Sequence, residues 1–322
     1  MKISSDKYLI LDRAIEVDWK YRMRQFIYPI LSKINVYVMN LYHPTNIEKR
    51  RYNVAICAIF KNESRYFREW IEFHKLVGVE HFYLYNNCSE DDYINVLQPY
   101  IDDGLVTLIE WPQQQAQMQA YQNCIEQFRR EVQWLGFIDL DEFVVPIEKN
   151  TVGDILDRFV KNRSAVLLYW RLYGTSGRMD RSRKGLVTED FTVCWPKLSE
   201  VGKCFLNMNY DFLKNAGRKS MLHHHPIGGY GFLKYHPVNL FDNVCYGGYN
   251  KLDSAEVPMQ INHYFTKSYK EYAEKKSKGD VYFKNNPHDM DYFYEHEMKC
   301  QTVDYSAYKY LVKLKIAMGK IL

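Results

Sequence analysis

The chain lacks most of the features that would place it in a specialised class. It has 322 residues and only seven cysteines, an odd number scattered at Cys57, Cys88, Cys124, Cys194, Cys204, Cys245 and Cys300. No two of them stand in a CxxC pair, which excludes a zinc ribbon and a thioredoxin-type redox site. Scattered thiols in a chain of this length fit a reducing compartment. No stretch reaches the roughly 18 uncharged apolar residues of a membrane-spanning helix. The residues up to Gln25 carry both charge signs and no apolar run, so no secretory leader is expected there.

Charge of one sign is also scarce. Lys and Arg number 43 against 39 Asp and Glu, a net +4, and no Arg-rich patch is interleaved with aromatics. A nucleic-acid partner is therefore not expected. Neither GxGxxG nor a P-loop occurs, so dinucleotide and ATP-hydrolysis functions have no motif behind them. There is no internal repeat and no low-complexity tract. These absences together predict a cytoplasmic protein, at most peripheral to the inner face of a membrane.

What is present is an ordinary globular composition, 47% apolar and 25% charged, in a chain long enough to bury a full core. Three parts are expected: an N-terminal extension over 1–51, a main domain over 52–300 that changes character after Pro146, and a C-terminal helix over 301–322. From Asn53 the pattern is regular. Val54 to Phe60 is an apolar run of strand length. Asn62 is placed to cap a helix carrying Tyr66, Phe67, Trp70, Ile71 and Val77 at helical spacing, which Gly78 ends. His81 to Tyr85 reads as a second strand, and Ser89 with Asp92 as a capping box for a helix to about Tyr100. Leu105 to Ile109 reads as a third strand, Gln113 to Val132 as a helix and Trp134 to Leu140 as a fourth strand. Strand and helix in alternation predict an α/β fold, a mostly parallel sheet flanked by helices. Beyond Pro146 the alternation loosens into a mixed, glycine-rich and aromatic-rich half.

The sharpest motif is Phe137-Ile138-Asp139-Leu140-Asp141-Glu142-Phe143. Side chains alternate along a strand, so Asp139 and Asp141 are expected to point to one side at its C-terminal end. Two unneutralised carboxylates so close are costly to bury, and a divalent cation would neutralise them. The C-terminal edge of a parallel sheet is where α/β proteins place ligands, and oxygen ligation suits Mg²⁺ or Mn²⁺ bridging to a diphosphate. Two solvated acids in a turn are the plainer alternative. A nucleotidyltransferase or phosphoesterase would use the same pair, and a glycan-binding module without turnover would have no need of it.

The chain resembles glycosyltransferase family 92 over about Asn53 to Asp280. The resemblance rests on Ala58-Ile-Phe-Lys61-Asn62-Glu63, Glu69-Trp70-Ile71-Glu72-Phe73-His74, Phe82-Tyr83-Leu84-Tyr85-Asn86-Asn87 and the Asp-Leu-Asp-Glu-Phe core. Weaker blocks lie at Trp170 to Gly177, Lys203, His223-His224-His225, His263-Tyr264 and Lys267-Ser268. It implies a GT-A-type, Rossmann-like catalytic domain over 52–300. Residues 52–146 would be the nucleotide-sugar-binding half and 147–300 the acceptor-side half.

The implied activity is metal-dependent, inverting transfer of a sugar, typically galactose from UDP-galactose, to a glycan or glycolipid acceptor. Carried over by residue, Asp139 and Asp141 become the DxD pair, with Asp141 the direct ligand of Mn²⁺ (or Mg²⁺). Asp139 would lie nearer the ribose or a metal-bound water. His263 becomes a further ligand, for which His223, His224 and His225 compete. Lys61, Asn62, Glu63, Asn86 and Asn87 would lie at the nucleotide, and Lys203 and Lys267 at the diphosphate. Glu189 or Asp190 would take the acceptor's proton, with Glu142 an alternative. Asp190 stands where family members often have Arg. Trp170 and Tyr173 either stack on a sugar or fill the core. Lys309, Lys313, Lys315 and Lys320 make the C-terminal helix a basic amphipathic one, suited to an anionic membrane surface or to packing on the domain. Phe26 to Tyr42 admits the same two readings.

Overall fold

The four apolar runs of the first half pair side by side, each connected to the next through a helix. The computed structural model describes residues 7–11, 19–113, 116–181, 185–214, 221–247, 252–277 and 289–319. In the central sheet, numbered in chain order, β1 is Tyr52–Phe60, β2 His81–Asn86, β3 Val106–Glu110 and β4 Val132–Phe137. They lie in the order β3-β2-β1-β4 and are all parallel. Helices Ser64–Leu76, Tyr93–Asp102 and Gln117–Phe128 make the crossovers. Every residue of β2 and β4 is buried, which is why both read as continuous apolar runs without alternation.

The sheet continues without a break into the second half. It adds β5 (Glu142–Pro146), β6 (Ala165–Leu172), β7 (Gly202–Asn207), β8 (Val238–Asn239) and β9 (Met259–His263). β7 runs antiparallel to both β4 and β6, β9 parallel to β6, and β5 antiparallel to β9. The short β8 lies beside the first residues of β6. This is the α/β, GT-A-type arrangement expected, with a parallel half and a mixed half. Gly136 marks the seam: a Cβ there would stand 2.6 Å from the ring of Phe205 on β7.

Two local expectations are corrected. Asn62 does not cap the Ser64–Leu76 helix. It sits at φ +56, a conformation asparagine tolerates, and its Oδ1 accepts the Glu90 N–H while its own N–H goes to Ser89 Oγ. The helix's first N–H, from Ser64, is taken by Asp91 Oδ2 across the loop. Ser89 therefore serves Asn62 and is no cap; the next helix starts after Asp92 without a side-chain cap bond. Gly78, at φ +91, follows the end of the Ser64–Leu76 helix as expected.

Both termini are stitched to the domain. Leu9–Ile10 pairs with Leu198–Ser199, and Thr302–Val303 with Val193–Cys194. The C-terminal helix spans Tyr308–Ala317 and packs through Tyr310, Leu311 and Leu314, with the Tyr310 hydroxyl donating to Pro146 O. Its expected last residues, 320–322, lie outside the described residues, as do 278–280 at the end of the resemblance. The N-terminal extension is dominated by one helix, Trp19–Leu41.

Candidate active site

Asp139 and Asp141 do not lie on a strand, and Glu142 opens the next one, β5. β4 ends at Phe137, and Asp139 to Asp141 form a tight turn before β5, closed by the Glu142 N–H donating to Asp139 O at 3.0 Å. The correction has a physical cause. The indole N–H of Trp70, on the Ser64–Leu76 helix, donates to both Asp139 O (3.0 Å) and Glu142 O (2.9 Å), gathering the turn under the helix. His74, one turn on, accepts the Val144 N–H at Nε2 and donates from Nδ1 to Trp70 O. The turn stands at the C-terminal edge of the parallel strands, as the motif's position predicted.

Asp141 is buried next to a small pocket, joined to it through Lys275 on the pocket wall. Its Oδ1 lies 3.6 Å from His263 Nε2, and its Oδ2 accepts from Lys275 Nζ at 2.6 Å. Its backbone O accepts the Tyr264 N–H, which anchors the end of β9 to the turn. Burial pushes the Asp141 carboxyl up, but Lys275, Lys267 and His263 outweigh that and hold it well below the usual carboxylate range. Burial lowers His263 to about 3, so the imidazole is neutral at pH 7. Its Nδ1 is buried without a hydrogen-bond partner. An ionised carboxylate and a neutral imidazole that converge are a fitting donor pair for Mn²⁺. Glu63, Tyr66, Lys267, Glu271 and Lys275 line the adjoining pocket.

The helix Tyr269–Ser277 brings Glu271 and Lys275 there, four residues apart on one face. It opens on a capping box: Ser268 Oγ accepts the Glu271 N–H while Glu271 Oε2 accepts the Ser268 N–H. Glu271 also takes Arg181, Arg65 and the Tyr66 hydroxyl. Burial would raise it, but these partners hold it down at about 2. Lys267, at φ +51, is buried and lies 4.4 Å over the Tyr66 ring, its pKa lowered by burial.

Asp139 faces elsewhere. Its Oδ2 accepts from Lys203 Nζ at 2.7 Å, and Lys203, 1% exposed, also reaches Glu142 Oε2 at 3.3 Å. Glu142, fully buried, accepts the Asp139 N–H. Burial raises the Glu142 carboxyl to about 8, against the pull of Lys203. Lys203 on β7 is thus the internal counter-ion of this side. Among the described residues, the one set of three His, Cys or acidic groups whose ligand atoms lie within 4.8 Å of one another is His296, Glu297 and Cys300. Asp139 accordingly stands apart from the Asp141–His263 pair.

The remaining expected residues divide. His263 meets Asp141, whereas His223 packs on Tyr121, His224 bonds Gly202 O and His225 bonds His236. Trp170 lies against His263, ring centroids 4.7 Å apart. Tyr173 is buried, and its carbonyl accepts from His296, so it fills the core and does not face a sugar. Glu63 lines the pocket and Lys61 is exposed beside it.

Asn86 is spent on Tyr93, Glu110 and the Ser89 N–H, and Asn87 on Trp111 O and Gln113 O; they shape the edge. Glu189 pairs with Lys315 of the C-terminal helix and Asp190 with Arg178. Neither bonds the acid turn. Arg178 O accepts the Tyr269 N–H, which ties Asp190's loop to the wall carrying Lys275. Lys275, Glu271 and Trp70's role were missed from sequence, although Ser268 and Glu271 have the capping-box spacing already used at Ser89.

The chain is similar to several known proteins. A rice protein (Oryza sativa subsp. japonica) of glycosyltransferase family 92 is 32% identical over 143 residues, 44% of this chain and 24% of its own length. A galactan beta-1,4-galactosyltransferase of Arabidopsis thaliana is 25% identical over 142 residues, 40% of this chain and 27% of its own. The chain thus matches about a quarter of the length of these relatives. Among solved structures, S. aureus TarS in complex with UDP aligns over 40% of this chain and 38% of its own, at 13% identity and a TM-score of 0.31. The sequence profile described as Glycosyltransferase family 92 matches residues 50–298. With the resemblance blocks falling on β1, β2 and the acid turn, the chain belongs to glycosyltransferase family 92.

Proposed function

We propose that this chain is a metal-dependent, inverting glycosyltransferase that moves a sugar from a UDP-sugar to a glycan or glycolipid acceptor. The observation that carries the reading is the meeting of Asp141 and His263 beneath a pocket lined by Lys267 and Lys275, at the edge where α/β folds hold ligands. Galactose is the sugar proposed, on the strength of Arabidopsis relatives named for galactosyl transfer.

Asp141 and His263 would hold Mn²⁺ or Mg²⁺, which supplies positive charge to a departing diphosphate. Lys275, 44% exposed at its side chain, is the partner that Asp141 would give up in holding a cation. Lys267 would be a second positive group for the diphosphate, and Asp139, fixed by Lys203, would serve the ribose. Inversion by single displacement needs one carboxylate to accept the acceptor hydroxyl's proton. Glu189 takes that role in this proposal, with Asp190 beside it.

Calorimetric titration of UDP, first with Mn²⁺ and then with EDTA, tests the donor site. Binding that needs the metal is expected; no binding under either condition overturns the reading. Release of UDP from UDP-galactose in the presence of glycan acceptors identifies the transfer, whereas release of pyrophosphate or phosphate would place the chain among nucleotidyltransferases or phosphoesterases. Glu189→Gln should lower kcat by about 10²–10⁴ with UDP affinity unchanged; an unaltered kcat removes Glu189 as the base.

A further inference from the structure

The N-terminal helix Trp19–Leu41 has two opposite faces, and only one of them is used by the fold. Tyr21, Ser32 and Met39 are buried, and Tyr28 and Val36 pack with them against the core. Ser32 Oγ accepts the Val244 N–H, Asn35 donates to the Tyr246 hydroxyl at 2.6 Å, and the Tyr28 and Tyr246 rings lie 4.7 Å apart. At about 100° per residue, these side chains share one stripe.

The opposite stripe carries Trp19, Phe26, Ile30, Ile34, Tyr37 and Leu41, all exposed, Phe26 at 76% and Trp19 at 67%. Met23, Ile27 and Leu31 widen it. So much large apolar surface in a row is not a scatter of single exposed side chains, and needs a partner.

The charge pattern says which partner. The helix contains Lys20, Arg22, Arg24 and Lys33 and no acid. On a helical projection Arg22 and Lys33 fall on one flank of the apolar stripe and Arg24 on the other, while Lys20 lies between Ile27 and Leu31 at the stripe's wider margin. An apolar face bordered by cations alone complements an anionic lipid surface: the stripe enters the headgroup–acyl boundary while the cations meet phosphates. No described helix is long and apolar enough to cross a membrane, so this one would lie flat, along about 34 Å.

We propose that the Trp19–Leu41 helix is a lipid-binding element that docks the protein on a bilayer of anionic phospholipid. It stands independently of the donor-sugar reading. The helix end contacts Asn162 and Arg163 just before β6, through Asn40. β6 runs parallel to β4, since both oppose β7. The lipid surface is therefore placed at the sheet edge opposite the acid turn, and the pocket of Asp141 stays turned towards water.

The test is cosedimentation of the whole protein with sucrose-loaded vesicles of phosphatidylcholine alone or mixed with phosphatidylglycerol. Binding to the anionic vesicles and its loss in high salt are expected. The triple variant Phe26→Gln, Ile30→Gln, Ile34→Gln changes exposed side chains and should bind at least about 100-fold more weakly. Replacing Lys20, Arg22 and Arg24 by Gln should cost about fivefold for each cation removed. UDP–Mn²⁺ titration of both variants should match the parent. Failure of the parent to bind anionic vesicles, or equal binding by the triple variant, overturns the proposal. A parent that sediments as a dimer, turns monomeric in the triple variant and ignores vesicles would assign the stripe to a second copy of the chain instead.

Discussion

Asp139 and Asp141 are two positions apart and belong to different environments. Asp139 is committed to a buried cation, Lys203, which also serves the fully buried Glu142. Asp141 is paired with the half-exposed Lys275, which lines a pocket, and with a neutral imidazole. The first side is an internal ion network whose members cannot leave without unbalancing one another. The second has partners that can be exchanged for a ligand. Two like side chains in one motif thus divide into a structural acid and an exchangeable one, and the tryptophan that holds both carbonyls of the turn keeps the division in place.

The largest expected effect falls on the Asp139 side. Lys203→Met removes the buried cation that Asp139 and Glu142 share, and should cost about 3–5 kcal/mol in urea unfolding. A loss below about 1 kcal/mol, the value of a surface pair, would erase the contrast. Asp141→Asn should destabilise less than Lys203→Met, because the half-exposed Lys275 can turn to water, and should weaken metal-dependent UDP binding by about 100-fold or more, since even outer-shell changes cost 10–100-fold. Equal UDP–Mn²⁺ affinity in that variant would end the metal assignment. Trp70→Phe removes the donor shared by the Asp139 and Glu142 carbonyls on either side of Asp141, and should lower stability by about 1–3 kcal/mol and UDP affinity together. If only one of the two moves, the acids are held separately.

Acid gives a finer separation. His224, on the Lys203 side, and His263, on the Asp141 side, are held neutral by burial, at about 4 and about 3. Unfolded, each takes up a proton below about pH 6.5, so the unfolded chain binds more protons than the folded one. Stability therefore falls as pH drops from 6.5 towards 4, by up to about 1.4 kcal/mol per pH unit for each histidine. His74 and His81, lowered to about 3 and about 4, add to the slope. Thermal unfolding at pH 7 and pH 5 should show the drop, and His224→Gln and His263→Gln should each flatten it by one proton. A Tm independent of pH across this range contradicts the neutral assignments.

The parallel half was legible because its information is local. Val54 to Phe60 and His81 to Tyr85 are strand-length apolar runs, and Tyr66, Phe67, Trp70 and Ile71 repeat with the helical period. The second half was not, because its strands are short and find partners far along the chain. β8 has two residues, and β5 pairs with β9 more than a hundred residues later. The acid motif and His263 could be named from residue chemistry, but the turn that carries the acids could not. Its shape depends on an indole N–H from a helix some seventy residues earlier. Lys203 and Lys275 reach the acids from two distant elements, and nothing in their neighbourhoods marks one lysine as buried and the other as half-exposed.

The basic ends of the chain make the same point. Both the 26–42 stretch and the C-terminal segment read as cationic and amphipathic, equally suited to packing or to a lipid surface. In the structure the C-terminal helix sends Tyr310, Leu311 and Leu314 into the core and Lys315 to Glu189, while the N-terminal helix leaves Phe26, Ile30 and Ile34 in water. Sequence alone determined what depends on neighbours: strand and helix alternation, the order of the parallel strands' chain segments, and the presence of paired acids beside an apolar run. Tertiary structure decided what depends on distant partners: which acid has a buried counter-ion, which histidine of four meets Asp141, and which amphipathic helix finds its apolar face covered. Burial and charge pairing act through space, so residues two positions apart can have opposite surroundings.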